Sequence, residues 1–200
     1  DTALARDDLL FLTWENPLVQ QALDLVTSDV TGNSAVVVVK LKGIKTGTIL
    51  VETLHQIECV APLALNANQY LSPALVRSLI TPERQDASAQ IPFSNWDDNL
   101  EVPTETIAKI VIQQEAGIKK LLAAANSIAQ VKFAPIKTEA LNSMNSHLGN
   151  EVNRLKALAQ VNPNVRPEEV EFLEDRLRLL TSAIESSQIR LEAVRLIIAA

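Results

Sequence analysis

The chain is short of the residues from which reactive or cross-linked sites are built. It has one cysteine, Cys59, so no internal disulfide can form, and a reducing compartment is expected, with the cytoplasm as the default. Its five glycines are too scattered for a dinucleotide-binding fingerprint, which needs three in one short turn. It has no basic surplus: 24 Asp and Glu against 18 Lys and Arg give a net charge of −6, unlike proteins whose affinity comes from neutralising phosphates. No window approaches the roughly 18 uninterrupted apolar residues of a membrane span. The best candidate, 60–76, is broken by Asn66, Asn68, Gln69 and two prolines, so a soluble protein is expected. Aromatics are few, and Trp14 and Trp96 read as satellite core or docking anchors, because base-stacking platforms come interleaved with basic residues. The chain opens on Asp1, and no charged, apolar and small-residue leader pattern follows, so a fragment of something longer is expected.

What is present is enough for a core. With 47% hydrophobic residues over 200 positions, the chain can form one or two folded domains. Asn16 followed by Pro17 is a helix start, the amide serving as N-cap and the proline standing where an N–H has no partner; Leu18, Val19, Ala22, Leu23 and Val26 continue at helical spacing until 29–33. The β-branched runs "SAVVVVK" and "GTILVETLHQIECVA" flank the turn-like "GIKTG", which predicts a hairpin or near-hairpin with strands at 35–41 and 48–60. In the second strand Ile49, Val51, Thr53, His55, Ile57 and Cys59 form the more apolar face, expected to meet the core, with Leu50, Glu52, Leu54, Gln56, Glu58 and Val60 on the other. "QYLS", "ALVRSLIT" and "QIPFSNW" read as further short strands.

From Thr104 the period changes to that of a helix. Ile107, Ile110, Val111, Ile118, Leu121, Leu122, Ala125 and Ile128 form one stripe, and Leu141, Met144, Leu148, Val152, Leu155 and Leu158 continue it, with a kink or break expected near Pro135. Asn162, Pro163 and Asn164 end one helix, while Arg166, Pro167, Glu168 and Glu169 begin another, which reads as a corner between antiparallel helices. "IRLEAVRLIIAA" fits a buried strand as well as a helix; the break at Ser186 and Ser187 favours the strand.

No reactive constellation stands out. "KGIKTGT" has Lys45 and Thr46 but lacks the upstream glycine of a phosphate loop and leads into a strand. His55, Glu58 and Cys59 are the one possible metal cluster, yet on a strand Glu58 points away from the other two, so a core histidine and a packed thiol are expected. His147 belongs to a solvated helix face, and no third group orients a Cys59 and His55 dyad. The acid pairs Asp7–Asp8, Asp97–Asp98 and Glu168–Glu169 fall in loops or a helix first turn. Lys109, Lys119, Lys120, Lys132, Lys137, Arg154 and Lys156 read as a solvated helix face rather than a phosphate track. No catalytic, cofactor-binding or metal residue is therefore assigned.

Several strings, "FLTWENPLVQQALDLV", "GTILVETLHQIECVAP", "YLSPALVRSLI" and "LKALAQVNPNVRPEEVEFLE" followed by "IRLEAVRLIIA", are similar to the C-terminal domain of the RapA family, bacterial RNA-polymerase-associated ATPases of the Swi/Snf class. Pro135 and Gly149 depart from the family's more regular charged helix. The resemblance implies that ATP and Mg belong to upstream lobes, that this fragment has neither cofactor nor turnover, and that its partners are the upstream ATPase and spacer domains and RNA polymerase core. Nucleic acid would be met through the rest of the protein, with no membrane contact and a monomeric state.

The fold class expected is α+β. A mainly antiparallel sheet carries an N-terminal helix and a long, kinked helical hairpin whose last segment returns to the sheet as a strand. The expected organisation is a linker over 1–12 and one domain over 13–200, comprising a mixed part (13–103), the hairpin (104–188) and the final strand (189–199). The rival readings are a stand-alone module oligomerising through the 107–158 stripe and an enzyme centred on His55 and Cys59.

Overall fold

The computed structural model describes residues 16–21, 32–41, 43–93 and 100–200. The chain sorts into two compact units, 1–35 and 36–200. In the first, residues 17–21 are helical, and the expected cap is in place: Leu18 N–H donates to Asn16 Oδ1 at 3.0 Å and Gln20 N–H to Asn16 O at 3.0 Å. The rest of that helix, with Trp14 and Trp96, lies outside the described residues.

Four strands form one sheet: β1 (Ser34–Val39), β2 (Ile49–Glu58), β3 (Leu75–Ile80) and β4 (Gln188–Ala199), in the order β1-β4-β2-β3. β2 is antiparallel to β3, with Val51 opposite Ile80, and to β4, with Ile49 opposite Ile198. β1 beside β4 makes the sheet mixed rather than purely antiparallel. A register shift between Leu54 and His55 leaves Glu192 without a cross-strand partner, a bulge that turns the lower half of β4.

The hairpin expected from β1 and β2 is corrected here: the two are not paired, because β4 lies between them. Their connection wraps the end of β4, where Gly47 N–H donates to Ala199 O (2.8 Å), Ala199 N–H to Thr48 O (2.9 Å) and Ala200 N–H to Val39 O (2.9 Å). The physical reason is burial. Leu196, Ile197, Ile198 and Ala199 are all buried, and only a central position covers both faces of that run.

Four helices follow: α1 (Thr104–Gln113), α2 (Glu115–Met144), α3 (Asn150–Val161) and α4 (Pro167–Glu185). The odd-numbered face of β2 meets α2 as expected: Val51, Ile80 and Leu196 pack with Leu121 and Ala125, and Ile57 and Val76 with Ala129, Phe133, Leu180 and Ile184. The other face is also covered at one end. Leu50, Leu79, Ile197 and Val39 are sealed by Leu41, Ile44, Ala87 and Ile91 from loops, a layer that strand alternation does not reveal.

Two further expectations are corrected, and of the kink or break expected near Pro135 the break is not found. "QYLS" is not a strand; a 3₁₀ turn (Ala67–Gln69) ends there, and its Tyr70 and Leu71 amides return to Ala67 O. Residues 90–93 of "QIPFSNW" are not strand, while 94–99 lie outside the described residues. Helix α2 runs through Pro135 unbroken, because the proline is exposed and so is Val131, whose carbonyl loses its partner where water can replace it. The irregularity lies instead at a π turn, Asn145–Gly149. Buried side chains recur every four residues through Leu121, Ala125, Ala129 and Phe133 and again through Ala140, Met144, Leu148 and Val152. Each such step drifts by roughly 40° around an ideal helix. The wider π turn takes back part of that drift and keeps Leu148 and Val152 toward the core.

Candidate functional surface

The residues with reactive side chains are absorbed into the fold. His55 is 1% exposed, its Nδ1 has no hydrogen-bond partner, and burial lowers its pKa below the ordinary histidine value. Cys59 is half-buried, with Sγ 3.5 Å from Ala183 O; burial raises its pKa, against the opposing pull of the Lys137 charge. Glu58 is turned away, paired with Arg190 at 2.5 Å. Among the described residues no group of His, Cys, Asp and Glu converges on a metal position. His147 is exposed beside Tyr70, with ring centroids 6.3 Å apart. Asp7, Asp8, Asp97 and Asp98 lie outside the described residues.

The basic residues of the helical half do not form one track. Lys119 pairs with Glu115 (2.6 Å), Arg154 with Glu151 (2.6 Å), and Lys156 with Glu174 across the hairpin. Lys132 reaches Asp86 (2.5 Å) and donates to Arg77 O (2.6 Å). Lys137 donates to Glu185 O (3.0 Å) and Ser187 O (2.8 Å), a cation at the negative end of α4.

Two features escaped the reading of the sequence. Glu52, placed by alternation on the wet face, is 2% exposed and held by Arg77 (2.6 Å) and Arg195 (3.3 Å). Arg77 also donates to Ser88 O and Ile91 O, and Arg195 lies 4.6 Å from the Phe93 ring centroid, so the loop after β3 is tied over the sheet. The only signal for it was an acid and two arginines in separate strands, which pairing alone brings together. Asp86 is the second tie. Burial tends to raise its pKa, but hydrogen bonds from Lys132, Leu79 N–H and Ser88 outweigh that and hold it below the ordinary aspartate value. By accepting from Leu79 on edge strand β3, it also blunts that edge.

The corner between α3 and α4 exposes apolar side chains. Its turn is self-contained: Asn162 N–H donates to Leu158 O (2.9 Å), Asn164 N–H to Asn162 Oδ1 (3.0 Å) and Glu169 N–H to Arg166 O (3.1 Å). Pro167 begins α4, with Glu168 and Glu169 in its first turn. Leu173, Leu177, Leu180 and Ile184 pack inward, whereas Phe172, one position off that stripe, is 66% exposed. With Leu155, Arg166, Glu168, Glu169 and Leu173 it lines a groove, and Val161 nearby in sequence is 79% exposed. A helix start presenting a bare aromatic ring beside an apolar groove suits contact, not chemistry.

Residues 1–199 match the RNA polymerase recycling family C-terminal. The chain belongs to that family. The family assignment agrees with the resemblance read from the sequence, and it disfavours a stand-alone oligomerisation module. The chain is similar to the RNA polymerase-associated protein RapA of Stutzerimonas stutzeri (strain A1501), 38% identical over 200 residues, which are all of this chain and 21% of that protein. It is likewise similar to the protein of that name from Vibrio parahaemolyticus serotype O3:K6, 33% identical over 199 residues, covering 99% of this chain and 20% of the relative. The chain thus spans about a fifth of the length of the curated relatives it matches. No helix among the described residues is long and apolar enough to cross a membrane.

Proposed function

We propose that this chain is the non-catalytic C-terminal domain of a cytoplasmic, polymerase-associated protein, and that the corner of its helical hairpin docks onto the rest of the same polypeptide. The parent protein would bind RNA polymerase core and promote its recycling with ATP and Mg held in upstream lobes, and the domain would act as a monomeric scaffold. One observation carries the docking: Phe172 stands exposed beside Leu155, on the second turn of α4 just after a corner whose amides bond within the corner itself. The occupant is argued from length, since relatives extend to about five times this chain and a fifth-length domain has most of its polypeptide available as a partner.

The test is capture between separately expressed pieces. This chain, immobilised, is offered the upstream portion of the parent or RNA polymerase core, with full-length parent as positive control. Retention of the upstream portion, weakened by Phe172→Glu while the circular dichroism spectrum is unchanged, is the expected result. Retention of core alone would turn the corner toward the polymerase and overturn docking within the polypeptide.

A further inference from the structure

A second cleft, of about 290 Å³, lies where the start of β2, the turn after β3 and the first turns of α2 meet. Ile49, Ile118 and Leu121 line it, and Gly47 and Gly117 bring no side chains into it. Its only charged residues are Arg84 and Lys120; no acid lines it, in a chain of net charge −6. Neither cation has an ion pair among the described residues, whereas the adjacent Lys119 is spent on Glu115 and Lys132 on Asp86. Arg84 is also one of two non-glycine residues with positive φ among those described, at φ 62, in a turn where its N–H donates to Thr81 O at 2.8 Å. Glycine would occupy that position without strain, so the arginine is kept at a conformational cost.

We propose that this cleft binds a phosphate group. Arg84 offers a planar fork and Lys120 a point charge, both exposed to the incoming ligand, a pairing that suits a doubly charged tetrahedral oxyanion. Thr48 and Gln114 supply neutral polar side chains at the same cleft. The amides of Gly47, Thr48 and Ile118 are already engaged: Gly47 N–H donates to Ala199 O (2.8 Å), Thr48 N–H to Lys45 O (3.1 Å) and Ile118 N–H to Gln114 O (2.9 Å). The site therefore differs from a phosphate loop, although "KGIKTGT" contributes two of its residues. The cleft is near the lower limit for ligand pockets, so it suits one phosphate with a small body attached or one phosphate of a longer strand.

The test is a titration of the 200-residue chain followed by amide shifts in proton–nitrogen spectra, with inorganic phosphate in one arm and a short single-stranded RNA in the other, against chloride at matched ionic strength. Saturable shifts at Gly47, Thr48 and Gly117, lost in Arg84→Gln/Lys120→Gln and retained in Lys109→Gln, are expected. Saturation by phosphate with no tighter response to RNA assigns a small phosphate ester, and saturation by RNA at concentrations on the order of tenfold lower assigns a strand phosphate. Shifts no different from chloride in both arms, or shifts that survive the double substitution, overturn the proposal. The wild-type titration decides the matter even if the double variant fails to fold. Arg84→Gly is expected to raise the Tm while removing the response, which a purely structural role for Arg84 does not produce.

Discussion

His55 and Asp86 set opposite problems for a proton. The His55 pKa is lowered by burial, so between its folded value and the ordinary value near 6.5 the unfolded chain binds more protons than the native one. Its contribution is therefore complete above about pH 6.5 and is lost as pH falls through the depressed folded value. His55→Gln is expected to flatten that part of the stability profile, read from urea midpoints at pH 5 to 7.5 (about one half-unit per step). An unchanged slope would mean that His55 binds as many protons folded as unfolded over that range, so that burial does not depress it. Asp86 is also depressed, so its stabilisation is present above about pH 3.9 and disappears as pH drops through its lower folded value. Glu52 is the more expensive residue to alter. Glu52→Gln strands two guanidinium groups over a carboxamide and should cost about 3 kcal/mol in chemical denaturation, the range for breaking a buried pair. A loss below about 0.5 kcal/mol would show that water already shares the site.

At the scale of the element, α2 shows that a helix is decided by where its faults point. Pro135 is exposed, so its missing donor is offset by solvent, and the helix passes through. Pro135→Ala should restore one backbone bond and raise stability by up to about 3 kcal/mol on the propensity scale, read as a higher thermal midpoint. A destabilised variant would mean that the proline sets a curvature the core requires. The inner stripe is less tolerant. Ala125 and Ala129 are both 0% exposed and let α2 lie close to the sheet, so Ala129→Leu should cost about 1–3 kcal/mol by overpacking. The corner was legible from Asn162, Pro163, Pro167 and the two glutamates, because caps and turns are local chemistry. Phe172 as an exposed contact was not, since exposure of a ring one step off a stripe depends on what packs beside it.

Across the whole molecule, the last strand closes a sheet begun some 150 positions earlier, with β4 seated between β1 and β2. Loop closure over such separations is slow, so β4 is expected to dock late in folding. Deleting residues 188–200 removes a central strand with four buried positions, Leu196 to Ala199. The shortened chain is expected to lose its cooperative thermal transition while retaining helical circular dichroism from α2 and α4. A truncated chain that still melts cooperatively would show that β1 and β2 can pair directly, as their sequence alone suggests.

The sequence by itself determined the elements whose physics is local: the Asn16 cap, the strand runs of β2 and β3, the long helical stripe, the corner and the return of the last segment as a strand. It also sufficed for the family, because strings such as "LTWENP" and "VNPNVR" carry the resemblance. Tertiary structure alone decided the strand order, the second covered face over Leu50 and Leu79, and the burial of Glu52 between Arg77 and Arg195. It also gathered Arg84 and Lys120 at one cleft. Periodicity reports which side of an element is apolar, whereas strand neighbours, loop cover and charge partners come from residues far apart in sequence, and only packing brings those together.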